Sequence, residues 1–311
     1  YAPSAPYDRI IATVGARDIP LAWQDQLAPA GRIVVPLRLR GGVTRSVAFT
    51  HAPGAGPVLR SVSSVMCGFM PMRASIASDE RETLPLTPSG DVLLEIQREQ
   101  RDGVDPGALD GVFATEPVTV PTGVRFGDAV SAEWLYLWLT CTLDSGLFRM
   151  QVRQSAIDAG LVAPLFRWGA VGTIAGGSLA YLAFGAAGES HDTGASANKA
   201  HDTGANDVGS DTGSDADSGM RREVDVIGHG PRGSALAETM AERIRTWDAG
   251  YRTRAARFEI WPAGMASGSA TLTGREDLFV FPTVANTLVV SWQHESENLH
   301  LPSRTSADSP V

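Results

Sequence analysis

The sequence predicts an α/β protein, and three observations carry that class. Arg9–Val14 is a short apolar, β-branched run, followed by a turn at Gly15–Asp18, a short helical pattern and a second apolar run at Arg32–Pro36. Strand, helix and strand within about thirty residues make one right-handed βαβ crossover with a parallel pair. An amphipathic helical pattern at Gly233–Trp247 then lies between strand-like runs at Glu223–Ile227 and Arg257–Trp261. Between the two folded parts, residues 187–222 almost lack apolar side chains. Such a segment buries too little surface to offset its ordering entropy.

Taken in order, the first strand reads as one buried on both faces, since its apolar run is continuous. Pro20 suits a first helical turn, Asp18 offers a cap, and Leu21, Gln24 and Leu27 carry a helix that stops near Pro29–Gly31. Ser46–His51 and Val58–Met66 are strands set off by turn-rich breaks at 38–42 and 52–57. Ala74–Pro88 is polar and proline-spaced, and a domain boundary is placed there. Val92–Gln100 is a short strand or helix. Asp128–Asp144 is the best helix of the middle part, with Trp134, Leu135, Trp138 and Leu139 largely on one face. Trp134 and Trp138 could line a peptide groove, although core packing explains them more simply. Ala170–Ala175 and Ser178–Phe184 flank Gly176-Gly177, which predicts a β-hairpin with a primed turn. The charge-free stretch Trp168–Gly188 has the length of a membrane span, but six glycines and the central Gly-Gly favour the hairpin. Phe279–Phe281 and Thr287–Trp292 add further strands.

Residues 5–73 also resemble a known family. "APYDRIIATVGARDIP" followed by "QLAPAGRIVVPL" is similar to the fourth-strand region of protein-L-isoaspartate O-methyltransferases, and Val65–Met72 to the strand that closes the same domain. "EVDVIGHGPRGSALAETMAERIRTWD" and the ending Ser291-Trp292 look like the extension found in the FxLD-system methyltransferases, which modify ribosomally made peptides. The resemblance implies the C-terminal half of a doubly wound, Rossmann-like class I methyltransferase sheet (1–75). It is followed by an α+β domain (76–186 and 223–292), a disordered acidic insertion (187–222) and a frayed tail (293–311). It further implies S-adenosylmethionine as cofactor and transfer of a methyl group to an aspartyl or isoaspartyl carboxylate of a protein or precursor peptide. The substrate carboxylate would lie beside Thr13, Val14, Gly15 and Ala16, at the carboxyl end of the first strand, the usual ligand edge of an open α/β sheet. Gly15 there serves close backbone approach or only the turn. The family's cofactor site is built mainly by an upstream glycine-rich turn and an acidic strand end. This chain opens on Tyr1 and enters the pattern at the fourth strand, so it reads as a fragment without that motif, inactive alone. No catalytic or cofactor-binding residue is assigned. The alternative is a non-catalytic module that binds a peptide or partner.

Composition narrows the partners. Across 311 residues the net charge is −9, which disfavours nucleic acid. The two cysteines, Cys67 and Cys141, lie far apart and without metal-ligand spacing, so they read as buried fillers and no metal is expected. No signal peptide or clear membrane span is present, and a cytoplasmic protein is the default. In 187–222 a His-Asp-Thr-Gly-Ala unit recurs at 191–195 and 201–205. It lacks the alternating oxygen ligands of a calcium loop. Gly228-His229-Gly230-Pro231-Arg232-Gly233 spells G-x-G-x-x-G between a strand and a helix. Pro231 removes a backbone donor from the loop, so a simple turn is favoured over a dinucleotide site.

Overall fold

A computed structural model describes residues 2–39, 42–72, 81–127, 132–165, 169–185, 222–265 and 277–293. Apart from Arg222 and Gln293, the insertion expected at 187–222 and the tail expected at 293–311 lie outside these residues. In chain order the elements are β1 (Tyr7–Ile11), α1 (Leu21–Asp25), β2 (Leu27–Arg38), β3 (Thr44–His51) and β4 (Leu59–Met66). Then come β5 (Arg81–Pro85), β6 (Val92–Gln97), β7 (Val118–Phe126), α2 (Glu133–Thr142), β8 (Phe148–Val152) and α3 (Gln154–Asp158). The chain continues with β9 (Ala170–Ala175), β10 (Ser178–Phe184), β11 (Arg222–His229), α4 (Gly233–Gly250), β12 (Ala256–Pro262), β13 (Leu278–Pro282) and β14 (Asn286–Trp292).

The strands form two mixed or antiparallel sheets, ordered β1-β2-β3-β4-β12-β14-β13 and β5-β6-β8-β9-β10-β11-β7. With their helices these fit an α/β class. β1 and β2 pair in parallel through α1, as the crossover pattern predicts, and β2, β3 and β4 then pair antiparallel. The core of the first sheet follows a period of two: Ile33, Val35 and Leu37 on β2, Val47 and Phe49 on β3, and Phe258 and Ile260 on β12 are all buried. Side chains of α2 and α4 join these residues and one face of the second sheet in a single core. The other face of the second sheet packs Leu94, Phe148, Leu179 and Tyr181 over residues of the 98–114 and 154–165 segments.

Gly176 and Gly177 have φ of 51° and 75°, the two left-handed residues a primed two-residue turn requires. β9 and β10 have the bounds the sequence predicts, and no helix among the described residues is long and apolar enough to cross a membrane. Gly228 permits the join of β11 to α4, because a Cβ there would sit 2.2 Å from the Gly233 carbonyl oxygen.

Two features depart from the sequence reading. β1 lies at the edge of its sheet rather than between neighbours, and Ile11 is 69% exposed. A continuous apolar run suits double burial but does not supply the second neighbour. The sheets also do not divide at residue 75. β4 pairs with β12, with an Arg60–Glu259 ion pair at 2.7 Å, so strands of the last segment complete the first sheet while β11 joins the second. Polar, proline-rich composition marks a connection and is silent on which strands pair across it.

Candidate functional site

The turn after β1 is tied into the sheet by its own backbone. Gly15 N–H donates to the Met70 carbonyl and the Met72 N–H to the Gly15 carbonyl, both at 2.8 Å. Ala16 N–H donates to Pro36 O at 2.8 Å and its carbonyl accepts from Arg38 N–H at 2.7 Å. Residues 15–16 are thus laced between 36–38 and 70–72. Of the four residues expected beside a substrate, Thr13 is exposed, Val14 half-buried, and Gly15 and Ala16 buried. What approaches Gly15 closely is the stem of Arg38, whose Cδ would lie 2.9 Å from a Cβ at that position.

Asp18 does not cap α1, whose N-cap is Pro20. Buried, it accepts from Ile19 N–H, Ala285 N–H and Asn286 Nδ2, while Gln24 Nε2 donates to Asn286 Oδ1. A closed polar network therefore fixes the β1–α1 turn against the start of β14.

From Gly15 the Arg38 side chain runs into a cleft of about 810 Å³ between the sheets. One wall comes from Arg38, 42–44 and 66–69, the other from β8, β9 and the first turn of α2. Arg45 Nη1 lies 2.9 Å from Glu133 Oε1, with the two side chains only 4% and 12% exposed. Arg45 also donates to Ser64 Oγ at 2.9 Å and sits 3.9 Å over the Trp134 ring. Burial raises the Glu133 carboxyl pKa against the pull of Arg45, and lowers that of Arg45 against the pull of Glu133. Burial, then the Glu133 charge, raises the Cys67 thiol, so it is no activated nucleophile. The Tyr136 hydroxyl is pushed far above its usual range by burial, with Arg149 opposing. These groups suit binding and orientation of a ligand.

The glycine loop has its donors engaged. Gly230 N–H donates to Thr115 Oγ1 and Arg232 N–H to Ser178 Oγ, each at 2.8 Å, and Gly233 N–H to Gly230 O at 2.9 Å. β11 pairs antiparallel on both sides, unlike the parallel strand of a dinucleotide fold. His229 is buried against Phe113 and Tyr181. Trp138 is core, donating Nε1–H to Arg243 O at 2.8 Å and stacking on Tyr251 at 4.1 Å. Among the described residues no group of acids, cysteines and histidines could hold a metal.

Arg38, Glu133, Tyr136 and Arg149 escape sequence reasoning because no motif joins positions so far apart. The faint signals are Arg45 inside an apolar strand and Glu133 at the head of an apolar helix.

Residues 1–64 match the family model of protein-L-isoaspartate(D-aspartate) O-methyltransferase. The chain is 42% identical to a protein-L-isoaspartate O-methyltransferase of Methylibium petroleiphilum over 76 residues, 24% of this chain and 27% of that protein. It is 39% identical over 70 residues to the enzyme so named in Myxococcus xanthus, covering 22% and 32% of the two chains. With that of Methanopyrus kandleri it shares 51% over 37 residues, 12% and 16% of the chains. The chain thus spans about a third or less of the curated relatives it matches. No solved structure matches it. The N-terminal segment is thus similar to the protein-L-isoaspartate O-methyltransferases.

Proposed function

We propose that this chain carries the substrate side of an S-adenosylmethionine-dependent O-methyltransferase. Its target is an aspartyl or isoaspartyl carboxylate of a protein or ribosomally made peptide. The observation that carries this is the family match over the parallel β1–α1–β2 crossover and its antiparallel continuation. In this reading the first sheet holds the C-terminal half of a Rossmann-like methyltransferase sheet, and the extension is that of a peptide-modifying subgroup.

Among the described residues, the Gly228–Gly233 loop and the Gly15 turn do not fit the methyl donor. The donors of the Gly228–Gly233 loop are taken by Thr115, Ser178 and the loop itself, and Arg38 fills the space at Gly15. In this reading the methyl donor is held by neither that loop nor that turn. What the chain's own residues supply is placement. A carboxylate is already a nucleophile, so the work is to hold it in line and exclude water. Thr13 and Val14 are the reachable part of the strand end, fixed from below by the Gly15–Ala16 ladder and the Asp18–Asn286 network.

Two measurements test this. Titration of S-adenosylmethionine into the chain should give no heat. The full open reading frame should move a radiolabelled methyl group onto an isoaspartyl peptide and not onto its alanine counterpart. Equal labelling of both peptides, or none, refutes the reading. Peptide binding without methyl transfer in any form of the protein would instead favour a non-catalytic module, which the open cleft between the sheets also suits.

A further inference from the structure

The cleft between the sheets is built jointly by the family segment and by the second sheet, to which the family match does not extend. Its volume of about 810 Å³ lies within the ~300–1,000 Å³ typical of ligand sites. Its charges do not cancel. Glu133 is neutralised by Arg45 at 2.9 Å. Glu95 is held by Arg81 at 3.1 Å and by Gln151 Nε2 at 2.9 Å. Arg149 is left as positive charge on the wall. No carboxylate of the described residues lies within ion-pair distance of Arg149, which is exposed at the mouth, its stem lying over Gly42.

Apart from Arg38, Thr44, Tyr136 and Gln151 the rest of the lining is apolar or glycine, and the apolar surface does not end at the cleft. Met66 and Phe69 line it while remaining 62% and 39% exposed, and Val65 and Met70 continue outward at 62% and 74%. An exposed apolar run continuous with a charged cleft marks a docking surface more often than idle surface. A small anion would satisfy Arg149 and leave that run wet. An extended peptide covers both.

We propose that this cleft binds a short peptide in which an acidic residue is flanked by apolar ones. Arg149 takes the carboxylate, and the Val65–Met70 rim takes the apolar neighbours. The site serves equally a methyltransferase that must hold its peptide and a module that only binds one. The inference goes beyond methyl transfer and needs no methyl donor.

The test is calorimetric titration of the full chain, without S-adenosylmethionine, using acetyl-Leu-Val-Asp-Leu-Val-amide and the same peptide with Asn in place of Asp. A charge-assisted pair predicts that the acidic peptide binds about tenfold tighter or more. The preference should shrink in about 0.5 M salt. Arg149→Met should abolish it while leaving residual binding of both peptides, and Arg149→Lys should restore part of it. Met70→Ser should weaken both peptides alike, separating the rim from the charge. Equal affinities for the two peptides, an unchanged preference in Arg149→Met, or no heat from either peptide would each overturn the site. None of these outcomes depends on whether the larger enzyme transfers a methyl group, so the two readings fail separately.

Discussion

The Arg45–Glu133 pair gives the sharpest test of how the sheets are joined, because β3 supplies one partner and the start of α2 the other. At 2.9 Å the gross attraction is about 6 kcal/mol at an effective dielectric constant near 20. Burying each ion costs several kcal/mol, and such pairs repay this only with good geometry. Here Nη1 and Oε1 are close but not aligned as a hydrogen bond. The net contribution should therefore be near zero, while removing one partner strands a buried charge and costs about 3–5 kcal/mol. The two halves are unequal. Glu133→Leu leaves Arg45 bonded to Ser64 and stacked on Trp134, so its cost falls at the low end. Arg45→Met leaves a buried carboxylate that can take a proton. Burial raises the Glu133 pKa, and a raised folded pKa contributes stability at low pH that is lost as pH rises through it. The Arg45→Met penalty should thus be smaller at pH 5 than at pH 8. Urea denaturation of both single variants and of the double variant Arg45→Met/Glu133→Leu checks this. The double variant should lie within about 1 kcal/mol of the parent, giving a coupling of at least about 2 kcal/mol. Additive losses, or an Arg45→Met penalty that does not change with pH, would refute the reasoning.

Two further outcomes follow from the same packing. Burial lowers the His229 pKa, with the Thr115 backbone opposing. The folded state therefore resists protonation that the unfolded chain accepts, and stability present above about pH 6.5 should fall as pH drops below it. His229→Leu should flatten that slope in thermal melts from pH 5 to 7.5, and an unchanged slope would assign it elsewhere. The exposed edge of β1, with Ile11 69% exposed, invites strand-to-strand association. The chain should aggregate on concentration, and Ile11→Lys should lower light scattering at least severalfold, whereas a parent that stays monomeric contradicts this.

The sequence by itself determined the local elements and the family likeness of the first segment. The Gly176-Gly177 turn fixes its hairpin because only left-handed residues satisfy a primed turn. The Met240, Ile244 and Trp247 stripe fixes the buried face of α4, because a period of 3.6 residues leaves one orientation that hides it. Strand bounds moved by a few residues: β1 is Tyr7–Ile11, because the chain turns aside after Ala12 into the Gly15 ladder. Tertiary structure alone decided which strands are neighbours. A period-two pattern says which face of a strand is buried but not beside what, so nothing local told β12 to pair with β4 or left β1 at the rim. It also decided the cleft, since Arg38, Cys67, Glu133 and Arg149 meet only after two sheets and a helix have packed. Burial and opposing charge are properties of that assembly.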